Sequence, residues 1–265
     1  MDFLTEIMAL KRARLERAKR ERPAEELRAL AVEVRRDAQG HALRQALKNP
    51  ERLNVIAEFK RASPSKGIIH ADADPRLIAG EYEAGGAAAI SVLTEEDRFR
   101  GSLSDLAAVR AAAKIPVLRK DFVFDEYQLW ESAAAGADAL LLIVAALDDD
   151  TLSRLRRVTE DDFRMDALVE VHTRDELRRA AAAGATLVGV NNRDLRSFKV
   201  SLDVSIELAH EAAPGLTLVA ESGLKSGDDL RRLKALGYSG FLVGESLMRA
   251  AHPGRSLREL ISNGA

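Results

Sequence analysis

Glu58 and Lys60 stand two residues apart in the stretch VIAEFKRASPSKG (55–67), at the end of an apolar run. On a strand that spacing places both side chains on one face. A buried strand gains little from such a pair, because apolar residues of equal volume stabilise as well or better. A carboxylate and an ammonium side by side are instead what proton transfer and anion binding require. Later apolar runs close in the same manner: Arg119, Lys120 and Asp121; Glu170 and His172; Asn191, Asn192 and Arg193; Glu221, Ser222 and Gly223; Gly244 and Glu245. The last two pair glycine with small polar residues, in ESGLKSGDDL and GESLMR, a pattern that suits phosphate held by backbone N–H groups at the start of a short helix over 245–251. Ser63, in the SPSKG that follows the first run, adds a hydroxyl.

These groups need elements to hold them. Short apolar runs at 54–60, 88–94, 116–121, 137–144, 167–172, 186–192, 216–222 and 240–245 read as strands, and Ala-, Arg- and Glu-rich helical stretches separate them. EAGGAAAISVL, AAGADALLLIV, AAGATLVGVNN and ALGYSGFLVGE each place a glycine a few residues before a strand, where a left-handed residue ends a helix. Eight strands alternating with helices in 265 residues predict a single (β/α)8 barrel over 51–265, preceded by a helical extension over 1–50, as one structural domain. An open doubly wound sheet is the alternative, but no G-x-G-x-x-G follows any strand. In a barrel the chemistry lies at the C-terminal strand ends. Glu58 and Lys60 then point into the mouth, toward Lys120, Glu170 and Glu221 of the other odd-numbered strands.

Composition narrows the function. A net charge of −2 gives no electrostatic reason to expect nucleic acid. The absence of cysteine excludes disulfides and thiolate metal sites and fits a reducing cytoplasm, the expected location. The first residues are charged throughout with no signal-type apolar block, and no apolar run reaches the length of a membrane span. The five histidines are scattered and His172 lacks H-E-x-x-H spacing, so no metal is expected; Ser222 lacks the G-x-S-x-G context of a serine nucleophile. A lysine at a strand end leaves Schiff-base chemistry open, as in an aldolase. The expected partner is a phosphorylated small molecule, bound by a monomer, with higher oligomers left open.

The runs IAEFKRASPSKG, ISVLTE, FRGSLSDL, PVLRKDFVFDEYQ, GADALLLIVAAL, LVEVHTRDEL, VGVNNRDL, VAESGL and FLVGESLMR, in this order from about 54 to 250, closely resemble the indole-3-glycerol-phosphate synthase family. The resemblance implies ring closure and decarboxylation of 1-(2-carboxyphenylamino)-1-deoxyribulose 5-phosphate, without metal or organic cofactor. The products are indole-3-glycerol phosphate, carbon dioxide and water, in tryptophan biosynthesis. It places functional residues at Glu58, Lys60, Ser63, Phe99, Lys120, Glu170, Asn191, Arg193, Glu221 and Ser222, with phosphate-loop glycines at Gly223 and Gly244. Lys120 is expected as general acid. The division of later proton transfer between Glu170 and the Glu58–Lys60 pair stays open. Two positions depart from the family pattern: Arg98 replaces one of a usual pair of aromatics, leaving Phe99, and His41 stands where an aromatic is common. Both are expected to bear on how the mouth is walled and covered.

Overall fold

Eight parallel strands close into a barrel in the computed structural model, which describes residues 3–262. They are β1 (Val55–Phe59), β2 (Ala89–Leu93), β3 (Val117–Lys120), β4 (Ala139–Ile143), β5 (Asp166–Val171), β6 (Leu187–Asn191), β7 (Thr217–Glu221) and β8 (Tyr238–Val243). Each pairs with its neighbours in sequence, and β8 closes onto β1. The helices that return the chain are α4 (Pro75–Ala84), α5 (Leu103–Ala112), α6 (Glu126–Ala134), α7 (Asp149–Arg157), α8 (Arg174–Ala182), α9 (Asp203–Glu211) and α10 (Gly227–Ala235). Asp74, Ser102, Asp125, Asp148, Thr173 and Ser226 cap six of them, each accepting a backbone N–H of the first turn. The predicted glycine stops hold: Gly86, Gly136, Gly184 and Gly237 have φ of 91°, 85°, 80° and 98°.

Period-two alternation builds the interior in tiers. Ile56, Leu118, Leu168 and Val219, from the odd-numbered strands, are fully buried in one apolar cluster. Two residues further along the same strands stand Glu58, Lys120, Glu170 and Glu221. The even-numbered strands put Ser91, Leu141, Gly189 and Leu242 between these two tiers, as the cross-strand pairs Glu58 with Ser91, Leu141 with Leu168 and Glu221 with Leu242 require. The opposite face of each strand packs against helices; Val55, Ala57, Val92, Val169 and Val190 are among its fully buried members.

Not every charge at a strand end reaches the mouth. Arg119 and Asp121 flank Lys120 and therefore face outward. Arg119 is 2 % exposed and spans Thr94, Gln128, Ser132, Glu131 and Asp121 on the helix side. The strands also end slightly earlier than the sequence suggests: Lys60, His172 and Glu245 lie one or two residues past β1, β5 and β8. Ala62–Ser63 and Gly67–Ile68 form a small antiparallel hairpin after β1, which the sequence did not reveal.

Ahead of the barrel come α1 (Phe3–Glu21), α2 (Ala24–Arg35) and α3 (Ala42–Ala46). Lys11 of α1 is 4 % exposed, and its ammonium lies 3.0 Å from Asp121 and 3.1 Å from Glu96. Arg14 binds Asp97, and Arg98 pairs with Glu6. The arginine that replaces an expected aromatic thus ties α1 to the loop after β2. His41 does not touch the mouth, contrary to expectation. It is the left-handed residue before α3, 3.4 Å from Asp166 at the start of β5, so it sits at the opposite end of the barrel. The chain ends in α11 (Glu245–Arg249) and α12 (Pro253–Ser262). No helix among the described residues is long and apolar enough to cross a membrane.

Candidate active site

The charged tier is the centre of the mouth. Lys120 Nζ lies 3.0 Å from Glu170 Oε2, to which it donates a hydrogen bond, and 3.1 Å from Glu221 Oε2. The second contact is an ion pair outside good hydrogen-bond alignment, and neither Glu221 oxygen has a hydrogen-bond partner. Burial opposes the Lys120 ammonium, but Glu170, Glu221 and Glu58 outweigh it and raise its pKa above the ordinary lysine value. Burial likewise pushes the Glu170 carboxyl up, yet Lys120, then His172 and Asn191, draw it below the usual carboxylate range. Glu221 is the reverse case. Burial dominates, Lys120 only partly offsets it, nearby Glu170 adds to it, and the carboxyl is pushed up to about 7.

Beside this triad Lys60 Nζ donates to Glu58 Oε1 at 2.7 Å. Glycines clear the space for the carboxylates. A Cβ on Gly189 would lie 2.0 Å from Glu221 Oε1, and one on Gly244 would lie 2.5 Å from Glu58 Oε1 and 2.9 Å from Glu58 Cβ. Asn191 ends β6 beside Glu221, with which it is paired across the strands, and its Oδ1 accepts the Arg193 N–H.

Because its folded pKa lies above that of the unfolded carboxyl, Glu221 weakens the fold as pH rises through that window. Glu221→Gln is therefore expected to melt at a higher temperature than the parent above pH 7, with the difference shrinking toward pH 5. Melting curves at the two pH values check this; a variant less stable than the parent at pH 8 would contradict it.

Two connected lobes open above the tier. The larger, of about 840 Å³, lies at the ends of β7, β8 and β1, where it gathers the cations Lys60, Arg193 and Arg249 and the turns at Ser222, Gly223 and Gly244, alongside Phe198, Val200 and Leu202. Ser222 and Gly223 have φ of 65° and 80°, so two successive left-handed residues turn the backbone there. Such turns form anion-binding concavities. The smaller lobe, of about 120 Å³, is walled by Phe3, Leu93, Phe99, Phe122, Leu141 and Ile143, and reaches Ser63, Glu170 and Asn191. Glu58, Lys60, Lys120, Arg193, Ser222 and Glu245 border both.

Every residue that the family resemblance places at the site, and Glu245, therefore borders one lobe or the other, whereas Arg119, Asn192 and His172 of the strand ends border neither. Phe99 is set by Glu95, whose fully buried carboxylate accepts the N–H groups of Asp97, Arg98 and Phe99 at 2.7–2.9 Å. Among the described residues Glu95, Glu96 and Asp97 are close enough to share a cation. Those carboxylates are committed to these N–H groups, to Lys11 and to Arg14.

The family to which this layout belongs is decided by comparison with known proteins. The sequence profile of indole-3-glycerol phosphate synthase matches residues 4–260. The chain belongs to the indole-3-glycerol phosphate synthase family. An indole-3-glycerol phosphate synthase of Carboxydothermus hydrogenoformans is 45 % identical over 266 residues, covering 98 % of this chain and all of the relative. That of Desulfosudis oleivorans is 46 % identical over 264 residues, covering 98 % and 99 %. Solved barrels are more distant and speak to fold alone. Thiamine phosphate pyrophosphorylase from Pyrococcus furiosus aligns with a TM-score of 0.59 at 18 % identity, over 81 % of this chain and 95 % of that one. The KGPDC of Streptococcus mutans gives 0.61 at 14 %, over 78 % and 95 %. As a synthase of this family the chain is a carboxy-lyase of tryptophan biosynthesis.

Sequence reasoning missed several members of the mouth. Leu141 and Ile143 share the inner face of β4, a position that alternation along ALLLI carries. Phe3 and Phe198 gave no such signal. Phe3 reaches over from α1 and packs edge-on to Phe198 at 5.3 Å and to Phe122 at 6.2 Å between ring centres. Only the packing of α1 on the barrel brings it there.

Proposed function

We propose that Lys120 is the general acid of the synthase reaction, that Glu170 carries the later proton transfer, and that the two lobes divide the substrate between them. The observation that carries this reading is the placement of the Lys120 ammonium, held by two buried carboxylates, where a lobe that gathers cations and turn N–H groups (the polar lobe) meets a lobe walled by aromatic rings (the apolar lobe). The anthranilate ring fits the apolar lobe against Phe99, Phe122 and Leu141. The phosphate fits the polar lobe, where the N–H groups after Ser222 and Gly244 and the cations of Arg193 and Arg249 converge. Lys60 meets the substrate carboxylate or phosphate from the rim, Ser63 and Glu245 contribute at the same rim, and Asn191 and Glu221 orient the sugar hydroxyls.

In this reading the carboxylate-bearing ring carbon attacks the ketone carbon, a carbon–carbon bond forms, and the C=O π pair moves to the oxygen, which takes a proton from Lys120 and becomes a hydroxyl. Carbon dioxide then leaves and the ring regains aromaticity. The hydroxyl formed from the ketone departs as water with a proton from Glu170, while Glu58 and Lys60 hold the substrate. The pKa direction of Lys120 argues against a Schiff base, which needs a neutral amine. All these residues come from one chain, so the reading needs no second subunit, and a cysteine-free enzyme suits a reducing cytoplasm. Purified protein given the carboxyphenylamino-deoxyribulose phosphate is expected to develop indole fluorescence with chelator present. Absence of turnover, or a lysine adduct trapped by borohydride, would overturn the reading.

A further inference from the structure

His172 is a largely covered titratable group, its side chain 12 % exposed, that the mechanism above leaves unused. Its ring lies between two carboxylates: Nδ1 is 3.2 Å from Glu176 Oε2, and Nε2 is 3.5 Å from Glu170 Oε1. Glu176 Oε2 also accepts the His172 backbone N–H at 2.6 Å, which fixes the carboxylate against the ring. Nε2 is buried and has no hydrogen-bond partner. The two Glu170 oxygens are thereby divided, Oε2 to Lys120 and Oε1 to the imidazole.

The reaction itself sets a need that this arrangement meets. The substrate carboxylate leaves as neutral carbon dioxide, so each turnover consumes one proton net. Two protons go to the ketone oxygen, which departs as water. One is returned by the carbon-bound hydrogen lost as the indole forms; the other comes from solvent, although the mouth is then covered by substrate.

We propose that His172 is the proton reservoir of the site, charged while the mouth is open and discharged into Glu170 during turnover. In the discharge the Nε2–H bond breaks, an Oε1–H bond forms on Glu170, and the electron pair stays on Nε2. Glu170 passes the proton to the departing hydroxyl and returns to carboxylate. Once product leaves, water recharges the imidazole through Glu170, which lines the cavity. The charged and titratable groups facing the ring are Glu170 on its own strand, Glu176 on α8 and Glu221 on β7, all acids. Burial opposes the imidazolium, but these three outweigh it and raise its pKa above the ordinary histidine value. The charged form is therefore present at lower pH and is lost as pH rises through that raised pKa. This inference rests on Glu170 as the proton-transfer residue.

The test is the pH profile of kcat for His172→Gln, which keeps an N–H donor but cannot store a proton. Expected are a roughly tenfold lower kcat, at or below the small end of general acid–base effects, with KM little changed and the alkaline limb of the profile gone. His172→Ala is expected to regain activity with added imidazole, and Glu176→Gln to move the alkaline limb to lower pH. A His172→Gln enzyme with the parent kcat and the same alkaline limb would sink the reservoir. Glu170→Gln separates the two ideas. If it keeps the parent rate, the role given to Glu170 fails; if it is inactive while the His172 variants are normal, only the reservoir fails.

Discussion

Replacing Lys120 with alanine is expected to remove kcat by ~10²–10⁴-fold while changing KM far less. The ammonium is the one cation in the charged tier, and it sits between Glu170 and Glu221 at 3.0 and 3.1 Å. Without it Glu58 keeps its ammonium partner Lys60, but Glu170 and Glu221 lose the contact that opposes their burial. Protonation of these carboxyls follows, so the variant loses the proposed acid and changes the charge of the groups around it. In the proposed reading substrate affinity rests mainly on the aromatic wall and on the cations and turn N–H groups of the larger lobe, so Lys120, one bordering residue among many, contributes little to it. Steady-state kinetics separate the cases: a variant with parent kcat and raised KM would assign Lys120 to binding alone.

A single added methyl group at Gly189 is expected to have the second-largest effect. Its Cβ would stand 2.0 Å from Glu221 Oε1 and 3.3 Å from a Leu168 methyl. The backbone of Gly189 is an ordinary strand residue, so Gly189→Ala introduces no left-handed strain and tests space alone. Glu221 is 1 % exposed and cannot swing into solvent without leaving Lys120. We expect kcat to fall by roughly 10–100-fold, as a misplacement of about 1 Å does. The melting temperature should drop only modestly, since a flexible side-chain end moves rather than the strand. A Gly189→Ala enzyme with parent kcat would show that Glu221 can vacate its position freely.

Much of this was legible in the chain because barrel strands obey a period of two. Alternation, together with the rule that barrel chemistry lies at the C-terminal strand ends, puts Glu58, Lys60, Lys120, Glu170 and Glu221 at one mouth, and glycines before four strands mark the helix stops. The same rule, applied strictly, also puts Arg119 and Asp121 on the outer face. Only the middle member of the run Arg119-Lys120-Asp121 enters the site, and its flanks anchor helices. Features that depend on long-range packing were not legible. Phe3 meets Phe122, and Lys11 meets Asp121, across more than a hundred residues of sequence, and nothing local marks them. The placement of His41 at the far end follows from where α3 packs, beside Asp166, which no short motif encodes.

The tiered interior separates the inheritance of shape from the inheritance of chemistry. Ile56, Leu118, Leu168 and Val219 close the barrel, and residues two positions along the same strands line the mouth. A lineage can therefore rewrite the second set while the first still dictates the architecture. The distant barrels at 14–18 % identity share this fold over most of the chain. For protein engineers, the charged tier is then a replaceable storey on a fixed foundation. The glycines at 189 and 244 set the headroom for any new side chain placed there.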